Sequence, residues 1–576
     1  MDYSLPVLRQ ISAGLLACAV KELFPSLQLV QIQATNAGFF CDFSQEISLD
    51  ALAISLLEEE MRRKAKESPC VRVFDMMREN AVSFFTHQGY DFLAARIESV
   101  SENIVSIFQV DTSCDYIEGG DYAYPDLSED LQEVPCFRLT EVIAAINHVG
   151  VEEAVPVYRI KGVVFKTQRE LRKGIKQREL ALEFDHMRLG ADLGLFFLKK
   201  DEKSVVWASK GVWLKERLLA FWHQHHAFDD YTIVQTPELC LEDSLVTWNG
   251  RENKWRKKIL PSFEIQGESY VLRPTLEFGH ADWVRRGVVL EDELPQRIAE
   301  MGRVFLSNSE LDREGLYAQN AYTADEVHII CDRTQLAEEI IYSLHFFEKF
   351  IKIFDLKCQW YLRCVSKEGS ERFGLEKVLA DSLATCEISF VEKRAIHKHS
   401  TPGVEVCICD GYGLEWIGPT LEVQTIKFNK TATETKQEKQ SVLPLFAIKR
   451  SLFTYVERFV ALLVENYQGK FPLWLIPEQI RIIPVGAGNH KGAREAEAQI
   501  KAKGFRATVD ESLQRLGAKI HIAELEKIPY IVIIGDIEEQ KGVVSLRTPS
   551  SQKEKCEIKL ELFLDELKKQ IMTNSN

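Results

Sequence analysis

The residues best placed to do chemistry lie in EMGRVFLSNSELDREGLYAQNAYTADEVHIICD, positions 300–332. Tyr322, the acidic pair Asp325 and Glu326, and His328 gather there at the start of a run that reads as a buried strand. An aromatic face for a base, carboxylates and an imidazole are the materials of a nucleotide-and-metal site. Only two arginines, Arg303 and Arg313, stand in the stretch to meet a polyphosphate, and Val304, Phe305 and Leu306 crowd its beginning. The residue types raise a triphosphate site and withhold most of its cations.

Two histidine groups are further metal candidates, HQHH at 223–226 and HKH with His397 and His399. Adjacent and i+2 histidines point around a helix, which places the first group on a surface; the second, at strand spacing, reads similarly. The 13 cysteines contain no CxxC pair, and their odd count and irregular spacing fit reduced, buried thiols. Cys407 and Cys409 have strand spacing and read as core residues on one face. No glycine-rich phosphate loop, no supported Ser-His-Asp set and no internal repeat is present.

These residues need elements to hold them. A chain of 576 residues, 45% hydrophobic and 27% charged, has room for three or four domains. The net charge of −15 argues against a nonspecific nucleic-acid coat. From Leu473 onward 16 Lys/Arg meet 15 Asp/Glu, so the acidity lies upstream and a C-terminal nucleic-acid face stays open. No apolar run approaches the roughly 20 residues that span a bilayer. The acidic, helically periodic start MDYSLPVLRQISAGLLACAVKELFP reads as no signal peptide, and the expectation is a cytoplasmic protein.

That opening helix carries Val7, Leu8, Ile11, Leu15, Leu16, Ala19, Leu23 and Phe24 at i, i+3, i+4 spacing. Strands follow at LQLVQIQA and AGFFCDF, a helix at SLDALAISLLEEEMRRKAKES, and the α+β pattern runs to PVYRIKGVVF. KTQRELRKGIKQRELALEFDHMRLG, 166–190, reads as a charged connecting helix. Residues 191–470 mix helices with the strands SYVLRP, EVHIICD, GVEVCICD and PTLEVQTIKF, and the polar stretch 428–441 reads as a loop. Strand–helix alternation after FPLWLIPEQ predicts a small α/β domain with a largely parallel sheet.

In order and phrasing these residues resemble the threonyl-tRNA synthetase family of class II aminoacyl-tRNA synthetases. HMRLGADLGLFF, VQTPELC with Pro237 (motif 1), LVTWNG, YVLRPTLEFGH and LPQRIAEMG follow in the family's sequence. Residues 300–332 fall on motif 2, and AIKRSLFTYVERFVALLVENYQGKFPLWLIP resembles motif 3 and the exit from the catalytic domain. The resemblance lacks only the family's small N-terminal ubiquitin-like domain. It implies an α+β multi-domain fold: an editing-like α+β domain (1–165), the connecting helix (166–190), a class II catalytic-like domain on an antiparallel sheet (191–470), and an α/β anticodon-binding-like domain (471–576).

It also implies ATP, a threonine-selecting zinc, tRNA and a homodimer formed through motif 1, and here the residues depart from it. Where the family's motif 2 has an arginine and a glutamate, this sequence has Leu306 and Asn308; Ala318, Gln319 and Asn320 replace a second arginine-bearing part. Arg303 should face the other side of the strand and Arg313 sits in a loop, so a divergent ligase needs one of the two to have moved into the site. Of the zinc ligands, one cysteine and two histidines, only His328 remains; Glu277 and Lys449 take the other places, and their opposite charges predict an ion pair in the vacated metal site. Tyr322 stands where the family stacks a phenylalanine on adenine, and Arg458 at its motif 3 arginine, with Thr454 in place of a glycine; alternatively Glu457 and Arg458 end a core helix. The editing signature is replaced by Gln10, Gly14, Ile117 and Asp121. Arg547 and Thr548 begin a basic phrase that Pro549 and Ser550 break off.

The resulting expectation is a threonine-tRNA ligase-like protein without threonine activation or editing, kept for tRNA, nucleotide or protein binding, with zinc absent. Two alternatives remain. One is a divergent working ligase with a displaced arginine. The other is an enzyme reusing the pocket through Glu277, His328 and Lys449. A filled, apolar pocket favours the first reading, an open polar one the last, and an arginine in the Tyr322–Arg458 gap the divergent ligase.

Overall fold

The computed structural model describes all residues except 1–4, 45–50, 101–102, 112, 118–134, 148–154, 200–203, 228–230, 246–247, 249–259, 286–293, 308–312, 366–370, 395–400, 427–444, 549–555 and 575–576. Asn308, Asp121, His397, His399, Pro549, Ser550 and the loop 428–441 fall outside that set. The chain forms two compact units, Met1–Glu179 with Arg394–Ser400, and Leu180–Lys393 with Thr401–Asn576. None of the described helices is long and apolar enough to cross a membrane.

In the first unit the helix Leu5–Leu23 is buried on nearly every face from Val7 to Val20, so the apolar stripe read from the sequence understates it. Small residues permit this, because Ala13, Gly14, Ala17 and Ala19 let neighbouring strands come close. Around it lie a four-stranded sheet, in the order Leu29–Ala34, Phe39–Ser44, Val155–Phe165, Cys136–Asn147, and a three-stranded one, Val71–Met77, Ile104–Val110, Ser113–Ile117. Gly14 is held tightly: a Cβ there would lie 2.5 Å from Val110 Cγ2, and valine has little rotamer freedom with which to yield. Gln10 is buried on the same helix. Gly14→His is therefore expected to cost about 3 kcal/mol by overpacking, read as a lowered thermal midpoint; an unchanged midpoint would mean that Val110 moves aside freely.

The expected connecting helix is two helices, Gln168–Glu183 and His186–Asp192. The break is made by Asp185, whose carboxylate caps the second helix by accepting from the Met187 N–H at 2.8 Å.

The second unit is built on eight strands in the order Thr232–Ile233, Gln296–Phe305, Ala321–Cys331, Leu445–Ser451, Glu415–Ile426, Gly403–Cys409, Cys358–Cys364, Val391–Arg394. The strands from Gln296–Phe305 through Cys358–Cys364 pair antiparallel, and Thr232–Ile233 joins parallel at one edge. Helices Ser209–Ala227, Leu336–Ile353 and Val456–Asn466 supply its core with Trp222, Phe347, Phe350 and Phe459. Cys407 and Cys409 keep one continuous register, but only Cys407 is buried; Cys409 is the last residue of its strand and is exposed.

Toward the C-terminus a five-stranded sheet runs Ala507–Val509, Ile480–Pro484, Tyr530–Ile534, Val544–Arg547, Cys556–Ile558. The first three strands are parallel, as strand–helix alternation predicts; the last two pair antiparallel, because the stretch Asp536–Lys541 is too short a helix for a crossover. Lys210 ties this part to the core through Glu526 at 2.6 Å and Glu478 at 3.0 Å.

Candidate functional site

Strand register assembles the residues singled out in the sequence. Gln296–Phe305 pairs with Ala321–Cys331 so that Val304 faces Tyr322, Glu300 faces Glu326 and Ile298 faces His328. The next strand sets Lys449 opposite His328. Alternate residues share a face, so Tyr322, Ala324, Glu326 and His328 form one row. Arg303 lies outside that row and is exposed.

At one end of the row Lys449 Nζ lies 3.2 Å from Glu326 and 3.8 Å from Glu277. It also donates to Thr275 Oγ1 at 3.3 Å, and that hydroxyl donates to Glu326 at 2.7 Å. Burial alone would depress the ammonium, but Glu326, Glu277 and Glu422 outweigh it and hold Lys449 above its ordinary range. Lys449 thus stands within ion-pair reach of Glu277 and closer still to Glu326, a partner that sequence reasoning missed. His328 Nδ1 meets His280 Nδ1 at 2.7 Å, and His280 Nε2 lies 3.3 Å from Glu300. Arg273 and Thr236 anchor Glu300 at 2.9 and 2.7 Å. Burial, then His280 and Lys449, push His328 far below the usual histidine value, so its imidazole is neutral; its Nε2 makes no hydrogen bond. As a core histidine it is half satisfied.

At the other end Leu276, Val304, Leu306, Tyr322 and Ala324 make a buried apolar cluster against which Tyr455 packs. Tyr322 is 1% exposed, and its hydroxyl donates to the Tyr317 carbonyl at 2.6 Å while accepting from the Gln319 N–H at 2.8 Å. The segment at Ala318–Asn320 is closed on itself, with Gln319 Nε2 donating to the Gly315 carbonyl at 2.5 Å. The Arg458 guanidinium stands 5.4 Å from the Tyr322 ring and 4.9 Å from Trp416. Glu457 and Arg458 open the helix Val456–Asn466 rather than end one. Glu457 accepts from the Thr323 N–H at 2.7 Å and pairs with Lys215 at 2.6 Å, which joins that helix to the motif 2 strand.

Arg313, the loop candidate, is committed elsewhere. It is 7% exposed and bonds Asp410 at 2.9 Å, Asp185 at 2.9 Å and Glu465 at 2.7 Å, with its carbon 4.0 Å from the Tyr412 ring. Asp185, His186 and Glu465 are the one metal-ligand cluster found among the described residues. Arg313 already supplies their cation. His186 Nδ1 donates to Glu465 at 2.8 Å and its Nε2 accepts from the Leu316 N–H at 3.1 Å, so no ring nitrogen remains for a metal.

The HQHH group is split. His223 is exposed, but His226 is fully buried, contrary to its surface reading: it donates to the Trp222 carbonyl and accepts from Arg450 at 2.8 Å. Burial, then the Arg450 charge, lower His226 to about 2. Of the positions expected to replace an editing signature, Ile117 ends a strand. Arg547 pairs with Glu524 at 2.8 Å.

The comparisons fit this architecture. Residues 262–467 match the tRNA synthetase class II core domain (G, H, P, S and T), and 479–570 match an anticodon binding domain. The threonine–tRNA ligase of Desulfovibrio desulfuricans is 28% identical over 556 residues, covering 94% of this chain and 84% of that protein. The Dehalococcoides mccartyi enzyme of the same name is 27% identical over 555 residues, covering 95% and 93%. In fold, the chain is similar to the RNA binding domain of threonyl-tRNA synthetase from Cryptosporidium parvum Iowa II, with a TM-score of 0.57 at 21% identity over 67% of this chain and 98% of that one. The chain thus carries a class II tRNA synthetase core domain and an anticodon-binding domain, and the sequence relatives it matches are threonine–tRNA ligases.

Proposed function

We propose that this protein keeps a threonine–tRNA ligase scaffold for binding, with tRNA as the partner of its anticodon-binding domain, and does not make threonyl-tRNA. One observation carries the reading: the place of the motif 2 arginine holds Leu306, packed with Val304 and Tyr322 in a closed apolar cluster. Adenylate formation builds negative charge on the α-phosphate and needs a fixed cation there. Arg313 is held by three carboxylates and Arg303 is exposed off the site row, which weighs against a divergent working ligase.

Zinc does not fit this donor set. A protonated ammonium is no ligand, and Lys449 is held protonated by Glu326 and Glu277. The same mutual neutralisation argues against Glu277, His328 and Lys449 as anchors for another small molecule. In the first unit, which we assign as an editing-like domain, Gly14 against Val110 leaves no space for a side chain at that position. A homodimer through the motif 1 region is part of the proposal, supported by Ile233, Leu239, Leu241, Phe263 and Ile265 all being exposed near the edge strand and the small sheet there.

The test is threonine-dependent ATP–pyrophosphate exchange, with zinc measured on the same sample. The expected result is no exchange above background and no stoichiometric zinc. Exchange accompanied by bound zinc would return the protein to the ligases.

A further inference from the structure

The Tyr455 ring lies 4.4 Å from the Tyr322 ring with an interplanar angle of 22°, a parallel stack. Arg458 stands beside both, 4.9 Å from Tyr455 and 5.4 Å from Tyr322. An aromatic platform with a guanidinium at its side is the setting in which proteins hold a flat, electron-rich heterocycle. Here a side chain of the chain itself lies on that platform.

The ring is placed by its backbone. Asp325, fully buried, accepts from Ser451 Oγ at 2.9 Å and from the N–H groups of Leu452 and Phe453 at 2.6 and 2.9 Å, which fixes the turn out of the strand. Thr454 follows at φ +61°, a left-handed conformation that a β-branched residue rarely adopts. It is held there by its own hydroxyl, which donates to the Gly418 carbonyl at 2.7 Å, and by its N–H, which donates to Ser451 Oγ at 3.0 Å. The Tyr455 N–H closes the turn on the Phe453 carbonyl at 2.7 Å, and the helix begins at Val456. Tyr455 therefore enters the cluster on a pinned backbone.

We infer that Tyr455 is a built-in occupant of a nucleobase slot: it takes the stacking place of a purine on Tyr322, and removing its ring opens a site for a purine nucleoside. The inference rests on the reading that the core no longer activates an amino acid, and it adds the residue that closes the base end of the site. The slot recognises the base alone, because Leu306 offers nothing to a phosphate.

The experiment is adenosine binding, followed by ligand-observed NMR and calorimetry, on the full chain and on Tyr455→Ser. Wild type is expected to show no binding at millimolar adenosine, and the variant at least tenfold tighter binding, with ATP no better than adenosine. Tyr455→Phe keeps the ring and should stay closed; Tyr322→Leu added to Tyr455→Ser should abolish the gain. If the serine variant does not fold, Tyr455→Leu takes its place, since it keeps the cluster apolar while removing the stack. Adenosine binding by wild type equal to that of the variants overturns the inference, and so does a folded variant that binds none. Wild-type adenosine binding without pyrophosphate exchange sinks this inference alone, whereas threonine-dependent exchange sinks the functional reading.

Discussion

Arg313→Leu is expected to lose about 3–5 kcal/mol of folding stability, because it strips a buried carboxylate group of its cation. Asp410 and Glu465 are almost wholly buried, Asp185 is partly buried, and all three bond this one guanidinium. The attraction at these distances is large only while the partner remains, and burial makes each orphaned charge costly. The pH dependence carries the same signature. Burial alone would raise Glu465, but the hydrogen bond from His186 and the Arg313 charge outweigh it and hold it at about 2. A carboxylate depressed in the folded state adds stability that is complete above its unfolded value and is lost as pH falls through that value toward 2. From an ordinary glutamate value the shift is worth about 3 kcal/mol. Urea denaturation at pH 7 and pH 3.5 should show wild type weakening with acid and the variant much less so. Equal stabilities at pH 7 would mean that water or another cation replaces the guanidinium.

Lys449→Met is expected to cost a similar amount, about 3–5 kcal/mol, for the complementary reason. Glu326 and Glu277 would face each other in the interior without the ammonium 3.2 and 3.8 Å away. The contribution of Lys449 is fully present below the normal lysine range and fades only as pH rises past it, since its folded value is raised. In the variant the carboxylates carry the penalty, so the deficit should shrink when they are made neutral. Adding Glu326→Gln and Glu277→Gln should recover most of the loss, and a double-mutant cycle measures the coupling. A Lys449→Met protein as stable as wild type would show that this site is wet and the charges screened.

Much of this was legible in the residues themselves. Apolar runs such as EVHIICD announced the sheet, and the crowding of Val304 and Leu306 announced the apolar cluster that they form. What stayed hidden depends on contacts distant in sequence. Glu326 meets Lys449 only because strand register sets His328 opposite Lys449, and no local pattern encodes that pairing. Arg313 reads as a loop arginine, yet its three partners lie 97, 128 and 152 residues away. His226 reads as one of a surface cluster until Arg450, on a strand far along the chain, approaches its ring. Tyr455 carried one legible clue: it follows Thr454, a β-branched residue that the turn holds at φ +61°.

On the proposed reading, the charge arrangement at Lys449 also acts as a ratchet. A histidine placed at 449 alone would leave Glu326 and Glu277 buried without their cation, and a cysteine placed at 277 alone would leave the ammonium in the way of a metal. Each single replacement is penalised before any metal can be gained, so on that reading the way from ligase to scaffold is far easier than the return.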